Sequence, residues 1–299
     1  MAKFSASDAA FSGFRLVREN LKTVGIWIVV MTVVSIIANA LTIKFFGPQM
    51  EAAMGLMTDP NGAQPEEMAK IADQMTPTLL WTLPYNLFVQ GVTLAALNRL
   101  IQRRSDSRFA HLGLGMDEVR QVVVSILTGL VMMAVVFGAA LLAGVLAAVG
   151  GGAVGVLVFL AAACGAIYLL VRLSLASAMT FDKRQIIFFR SMEVTKGAFW
   201  SLLGAYVVAA VMSVIVWLLI FIIVYAVVAI VTGDFSTAGN ALRADTSSLS
   251  AYFTPSGIVQ QLFSGFMAVL SALIVLSPAP TIYRELTSGQ AASEEASGW

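Results

Sequence analysis

The sequence is poor in the residues that most catalytic and metal sites use. Its 299 residues include one histidine, His111, and one cysteine, Cys164. A single cysteine excludes an intramolecular disulfide. A single histidine without a neighbouring cysteine leaves a zinc site without ligands. We therefore predict that the chain holds no metal ion and no cofactor.

Acidic residues are missing from the places where intramembrane chemistry would need them. None of the 17 Asp and Glu residues lies deep within a long apolar run. The sequence also contains no phosphate-binding glycine loop and no nucleophile elbow. General acid–base catalysis in a bilayer would have no group to carry the proton. We predict no catalytic residue and a protein that is not an enzyme.

Charge itself is scarce, at 12% of the residues against 59% that are hydrophobic. Charge-free runs cover residues 23–43, 74–98, 121–171, 197–233 and 246–283. About 20 apolar residues in a helix cross the hydrocarbon layer of a membrane. The third run is too long for one crossing and contains three consecutive glycines at 150–152, so it predicts two helices. The fold class is therefore an all-α polytopic membrane protein with six transmembrane helices.

The boundaries of these spans follow from the apolar runs and their flanking breakers. Charged, partly amphipathic segments precede the first, third and fifth spans. We therefore predict three hairpins, each entered through a cytoplasmic elbow helix. Gly47-Pro48 and the Asp59 to Gly62 segment should divide the outer segment after the first span into two short helices. A single domain should cover 1–286, with a disordered tail at 287–299 and spans at about 23–44, 78–100, 120–148, 153–176, 199–231 and 256–282.

The distribution of basic residues orients the chain. All 18 Lys and Arg except Lys44, Lys70 and Arg243 fall on the side of the two termini in this arrangement. Cytoplasmic loops retain the excess of Lys and Arg. We expect a multi-pass protein of the bacterial inner membrane with both termini in the cytoplasm.

The second span carries a polar stripe at near-helical spacing, formed by Thr82, Asn86, Gln90 and Thr93. Polar residues in a membrane helix face protein or water. The stripe therefore predicts either the wall of a polar cavity or hydrogen bonds between helices, which we favour.

Basic residues cluster in the cytoplasmic segments and form the second candidate site. Their charge suits anionic lipid headgroups or a protein partner, although the topology alone also explains it. Nothing favours nucleic-acid binding. The candidate contacts are Arg103, Arg104, Arg108, Arg172, Lys183, Arg184, Arg190 and Lys196.

Methionines crowd the outer segment at Met50, Met54, Met57, Met68 and Met75. Thioethers are ligands for Cu(I). Methionine is also a flexible apolar residue that fills irregular contacts, and we favour that interpretation.

Several short motifs carry a resemblance to a known family. Residues 189–200 read FRSMEVTKGAFW, after VRLSLA at 171–176, while 114–120 read LGMDEVR and 283–286 read YREL. The chain resembles bacterial six-helix membrane proteins described as the membrane domain of glycerophosphoryl diester phosphodiesterase, and is similar to the YciC-like inner-membrane proteins. Phosphodiesterase members use a separate soluble barrel domain with catalytic histidines and metal-binding carboxylates. With His111 alone, the resemblance implies the fold and not the activity.

These observations predict a non-enzymatic integral membrane protein that acts as a scaffold, an accessory subunit or a lipid-interacting factor. The alternative is a small transporter or lipid translocator that uses the polar cavity beside the second span. Pumps usually bury ionisable residues along their path, and none is evident in the runs. The expected partners are membrane lipids, and another membrane protein or a second copy of the chain.

Overall fold

The fold is known from a computed structural model that describes residues 4–57, 65–105, 108–235, 238–239 and 248–297. Helices and short connections make up these residues, with no β-strand among them, so the all-α prediction is confirmed. The helices are α1 (Ala6–Ala10), α2 (Ser12–Glu19), α3 (Leu21–Met57), α4 (Pro65–Gln102), α5 (Met116–Gly150), α6 (Gly152–Leu173), α7 (Ala176–Lys183), α8 (Arg190–Val194), α9 (Phe199–Thr232), α10 (Leu249–Tyr252), α11 (Pro255–Leu276) and α12 (Pro278–Ser297).

Five segments of the described chain are long and apolar enough to cross a membrane: Leu21–Met50, Phe109–Gly150, Gly152–Lys183, Phe199–Thr232 and Pro255–Ser288. Helix α4, which contains the second predicted span, is not among them. Its prolines and its polar stripe lower its hydropathy. Only 6% of the most apolar window is buried in each of the second, third and fourth segments. Apolar faces left open to this extent are typical of helices surrounded by lipid.

The borders of some helices differ from those predicted. Helix α3 continues through Pro48 to Met57, so the expected break at Gly47-Pro48 does not occur. A proline inside a helix removes one hydrogen-bond donor and bends the chain without necessarily ending the helix. At the other end of the chain, the last predicted span divides at Ser277, and α12 runs to Ser297, through most of the tail that we expected to be disordered. Residues 58–64, which contain the second predicted break, lie outside the described part.

Two long apolar helices meet at the three consecutive glycines. Helix α5 ends at Gly150 and α6 begins at Gly152. Gly151 between them has a φ of 84°, which glycine adopts without steric cost. The two helices then pack along each other, and a Cβ on Gly155 would lie 2.8 Å from the Cβ of Ala147. Small residues therefore allow this close approach.

The chain divides into two compact units, where the sequence predicted one domain. Unit 1 comprises residues 1–16, 90–211 and 273–299, and unit 2 comprises 17–89 and 212–272. Two clusters of buried residues form the core of unit 1. The larger lies among α1, α6, α7, α9 and α12, and the smaller includes Val124, Leu173, Ala176 and Phe188. In unit 1, Gly13 lies directly against the backbone of Ile274. A Cβ added to Gly13 would lie only 2.6 Å from the Cα of Ile274.

Unit 2 contains α3, α10 and parts of α4, α9 and α11. Trp81 of α4 donates a hydrogen bond to the Thr42 hydroxyl of α3 at 3.1 Å, and Tyr85 donates to Ser35 at 3.4 Å. Helix α10 contacts α3. Polar side chains therefore connect the helices of this unit.

Candidate functional site

A cavity of about 520 Å³ opens in unit 1 where α4 ends and α5 begins. We call it the arginine groove. Its charged lining consists of Arg99, Asp117, Glu118, Arg120 and Arg184, and its remaining wall includes the loop at 112–116. The described part of this lining thus holds three cations and two carboxylates, an excess of positive charge.

A buried ion pair forms the floor of the groove. Nη2 of Arg99 donates to Oε1 of Glu118 at 2.6 Å, and Nη1 donates to the carbonyl oxygen of His111 at 2.9 Å. Both charged side chains are buried. A guanidinium held by a carboxylate and a carbonyl has a fixed direction, because its donors form a rigid fork.

The neighbouring carboxylate, Asp117, forms ion pairs with three arginines. Asp117 lies 2.9 Å from Arg120, 3.4 Å from Arg103 and 3.7 Å from Arg99. Asp117 and Glu118 both lie in the first turn of α5, where the helix dipole favours negative charge. The start of α5 is thus bound electrostatically to the end of α4.

The connection between these helices has an unusual backbone. Phe109, Ala110 and His111 have positive φ values of 47°, 56° and 65°. This conformation costs a non-glycine residue about 1–2 kcal/mol. The hydrogen bond from Arg99 to the carbonyl oxygen of His111 holds the last of the three in place.

The turn also gives the groove an apolar rim. Phe109, Leu114 and Met116 line the groove and remain 88%, 77% and 64% exposed. Large apolar side chains next to arginines are typical of surfaces at the lipid headgroup layer. The arginine groove is therefore charged inside and apolar at its edge.

One carboxylate oxygen of Glu118 accepts no hydrogen bond from the described residues. The residue is 4% exposed, and Oε2 has no hydrogen-bond partner among the described residues. A buried polar atom without a partner costs about 1–3 kcal/mol. The groove therefore offers a strong acceptor to any donor that enters it.

A second cavity, of about 210 Å³, lies in unit 2. We call it the neutral cavity because its lining, as far as the structure describes it, includes no Asp, Glu, Lys, Arg or His. Helix α3 contributes Ser35, Asn39 and Thr42, which lie at i, i+4 and i+7. Sequence reasoning missed this stripe, although its spacing is the same kind of signal that drew attention to α4.

The predicted polar stripe of α4 lines neither of these cavities. Thr82 and Thr93 are half-buried, whereas Asn86 and Gln90 are exposed. The amide nitrogen of Asn86 donates to the backbone oxygen of Thr82 at 2.9 Å, one turn earlier in the same helix. At Asn86 the structure thus has a bond within the helix and not one between helices.

Two of the predicted basic contacts, Arg103 and Arg172, form hydrogen bonds within unit 1. Arg103 donates to the carbonyl oxygen of Phe181 at 3.0 Å and lies 4.5 Å from the centre of its ring. Arg172 donates to the carbonyl oxygen of Met192, and its own carbonyl oxygen accepts from Ser191 at 2.8 Å. These two arginines join helices within the unit.

The other predicted basic contacts whose side chains the structure describes lie at the surface. Lys183 pairs with Asp182 at 3.4 Å. Arg184 is the member of the set that lines the arginine groove. The side chain of Arg108 lies outside the described part of the chain. Those exposed are Arg104, Lys183, Arg184, Arg190 and Lys196.

Metal ligands do not gather in the part of the chain that the structure describes. No group of three or more His, Cys, Asp and Glu residues is placed to hold an ion. Of the outer methionines, Met50 lines the neutral cavity. The side chains of Met54, Met57 and Met68 lie outside the described part.

In comparisons with protein-family models, curated proteins and solved structures, nothing matches this chain. The resemblance in its short motifs therefore stays a prediction, and no family is assigned.

Proposed function

We propose that this chain is a non-enzymatic integral membrane protein that binds the headgroup of a phospholipid in its arginine groove. The observation that carries the proposal is the unpartnered Oε2 of Glu118, buried in a groove that arginines line. A headgroup with both a phosphate and an ammonium group complements this pair of charges. Phosphatidylethanolamine has that chemistry.

The phosphate would meet Arg184. This side chain is exposed, lines the groove and makes no ion pair within the described residues. It follows α7 at a φ of 53°, in the left-handed conformation that ends the helix. Arginine binds phosphate through two parallel donors.

The ammonium group would meet Glu118. Hydrogen bonds between oppositely charged groups are stronger than neutral ones, and burial strengthens them further. The exposed Phe109, Leu114 and Met116 would lie against the acyl chains. Each part of the lipid thus has a counterpart in the groove.

The same proposal includes the finer topology. We propose six spans, with α4 as the second, and both termini on the cytoplasmic side of a bacterial inner membrane. The basic residues support it, because those of the groove and of the predicted elbows fall on one side. Helix α4 would cross among other helices, since its polar stripe does not suit lipid. The protein would act as a lipid-interacting scaffold or accessory subunit.

A translocator that uses a cavity beside α4 has less support. The stripe from Thr82 to Thr93 lines neither the arginine groove nor the neutral cavity. We therefore retain lipid binding as the proposed function.

Native mass spectrometry of the purified full chain tests the proposal. The chain is mixed with phosphatidylethanolamine, phosphatidylglycerol or diacylglycerol of matched acyl chains. We expect one tightly held phosphatidylethanolamine, weaker phosphatidylglycerol and the weakest binding for diacylglycerol. Glu118→Gln should weaken the binding of phosphatidylethanolamine by about tenfold, the effect of one lost charge-assisted hydrogen bond. The preference between the two phospholipids should then disappear.

Arg184→Gln should weaken both phospholipids relative to diacylglycerol. Arg190→Gln is the matched control, because Arg190 is equally exposed and does not line the groove. The proposal fails if the three lipids bind alike, or if the two arginine variants have the same effect.

A further inference from the structure

We infer that the neutral cavity of unit 2 is a binding site for an uncharged, hydroxyl-bearing group, such as a small polyol or the polyol headgroup of a lipid. This site is separate from the arginine groove and takes a different chemical class. The inference stands on Tyr252 and Gln260, which line the cavity and each bury one polar atom that has no hydrogen-bond partner among the described residues.

The Tyr252 hydroxyl is a buried group without a hydrogen-bond partner. Tyr252 is 2% exposed, and it lines the cavity from the end of α10. Burial raises the pKa of this hydroxyl, and the Asn39 side chain lies close enough to lower it in part, but no atom of the described residues meets the distance and angle of a full hydrogen bond. Buried tyrosine hydroxyls usually have a partner. An acceptor on a ligand would complete this one.

The Gln260 amide offers a hydrogen-bond acceptor. Its Nε2 donates to the Ser264 hydroxyl at 3.1 Å, which leaves Oε1 buried and without a partner. The cavity thus holds one free donor and one free acceptor. A hydroxyl group both accepts and donates. One hydroxyl, or two adjacent ones, would satisfy Tyr252 and Gln260 together.

The rest of the lining favours a ligand with several hydroxyl groups and no charge. Ser35, Asn39, Gln261 and Ser264 add further donors and acceptors. Among the described residues that line the cavity, none is charged and could compensate an ionic ligand. An unpaired buried charge is far more costly than a buried dipole. Charged headgroups therefore belong to the arginine groove and not to this site.

The size of the cavity limits the ligand. A water molecule takes about 30 Å³ of liquid volume, so a cavity of about 210 Å³ holds a group of only a few heavy atoms. Drug-sized sites start at about 300 Å³. The cavity suits a glycerol-sized group better than a large sugar.

Two close approaches keep the lining in place. A Cβ on Gly265 would overlap the Thr32 side chain, so α11 lies directly against α3. A Cβ on Gly257 would overlap the carbonyl oxygen of Tyr252, so α11 also holds the end of α10. These close contacts of the two glycines set the walls of the cavity, and the site is formed before a ligand arrives.

Binding to the purified full chain in an amine-oxide detergent, which brings no sugar, tests the inference. The probes are glycerol, a monoacylglycerol and the fatty-acid methyl ester of the same chain length. Native mass spectrometry and the midpoint of thermal unfolding report binding. Glycerol stays in the millimolar range, because molar osmolytes stabilise proteins generally.

We expect the monoacylglycerol, glycerol or both to bind, and the methyl ester not to. Tyr252→Phe should weaken binding by about tenfold, the effect of one lost hydrogen bond. Tyr206→Phe is the matched control, because the buried hydroxyl of Tyr206 likewise lacks a full hydrogen bond to any described residue but lies in unit 1. Binding of glycerol identifies a free polyol as the ligand class, whereas binding of the monoacylglycerol alone identifies a lipid.

If neither hydroxylated probe binds, or if the two tyrosine variants behave alike, the cavity holds water only and the inference is overturned. Ser264→Leu, which fills the cavity from an exposed position of α11, is the second variant if Tyr252→Phe does not fold. It should abolish polyol binding. Phosphatidylethanolamine binding should survive both substitutions, so failure of this site is distinguishable from failure of the arginine groove.

Discussion

Arg99 at the end of α4 and Glu118 at the start of α5 form a buried ion pair, with Nη2 of Arg99 2.6 Å from Oε1 of Glu118. The pair is 19 residues apart in sequence. It connects α4, which carries the polar stripe, to the apolar helix α5, and it forms the floor of the arginine groove.

Removal of one partner should destabilise the chain more than removal of both. Arg99→Met leaves the Glu118 carboxylate buried without its cation, and such a loss typically costs about 3–5 kcal/mol. The double variant Arg99→Met with Glu118→Leu should recover part of it, because both charges are gone. Chemical unfolding in detergent micelles measures the free energies. A double variant no more stable than Arg99→Met would contradict this account.

Gly113 should be sensitive to a single added methyl group. Its Cβ would lie 3.0 Å from Nη1 of Arg99 and 3.4 Å from Oε1 of Glu118. We expect Gly113→Ala to lower the free energy of unfolding by about 1 kcal/mol, as overpacking does, and to weaken lipid binding. Gly115→Ala is the control, since its Cβ would meet only Oε2 of Glu118 at 3.7 Å. Equal effects of the two substitutions would contradict the geometry.

Gly265 should tolerate no side chain while Thr32 is present. Gly265→Ala should destabilise unit 2 by about 1–3 kcal/mol, because the added Cβ overlaps Thr32. Thr32→Gly should restore part of that loss in the double variant. Gly129→Ala, in α5 with no atom within 4 Å of the added Cβ, should be neutral or slightly stabilising. Thermal unfolding of the wild type, the Gly265→Ala and Thr32→Gly variants and their double variant measures the coupling.

Alkaline pH should weaken the fold through Tyr252. Burial raises the pKa of Tyr252 above its ordinary value of 10.0. The folded chain therefore keeps a proton that the unfolded chain releases, so this contribution is full below about pH 10 and is lost as the pH rises through the raised pKa. Tyr252→Phe should show a smaller fall in unfolding midpoint above that pH. An identical pH profile for the two proteins would show that the hydroxyl does not titrate as argued.

Cysteine labelling should place the Gly151 turn and the elbow before α9 on opposite sides of the membrane. In a Cys164→Ser background, an impermeant maleimide should label Gly152→Cys in intact cells. It should label Lys196→Cys only after the cells are permeabilised, because the basic segments remain inside. Both positions are exposed, so access depends on the side of the membrane. Labelling of Lys196→Cys in intact cells would reverse the proposed orientation.

The sequence predicted much of the helical architecture because apolar runs and breakers act locally. The scarcity of charge marked the apolar helices, and three glycines marked the turn between α5 and α6. Prolines were less informative. Pro48 lies within α3 and Pro84 within α4, because one missing donor does not decide whether the residues on either side continue the helix.

The candidate sites were harder to predict, since a stripe on one helix does not reveal what faces it. Thr82 and Asn86 had helical spacing and proved to bond within α4. Ser35 and Asn39 had the same spacing on α3. They line the neutral cavity together with Gln260 and Tyr252, which α11 and the end of α10 contribute. Arg103 was predicted to be a surface contact for lipid or a partner. In the structure its guanidinium donates hydrogen bonds to the Asp117 carboxylate and to the carbonyl oxygen of Phe181.

The sequence by itself determined that the chain is helical, that long parts of it suit a membrane, and where its basic residues lie. These properties follow from composition and spacing along the chain. Only the tertiary structure decided that Glu118 is paired through one oxygen and open at the other, and that Tyr252 and Gln260 share a cavity without charge. The physical reason is that hydrogen-bond partners are set by which helices pack together, and packing brings residues distant in sequence within 3 Å or so of one another.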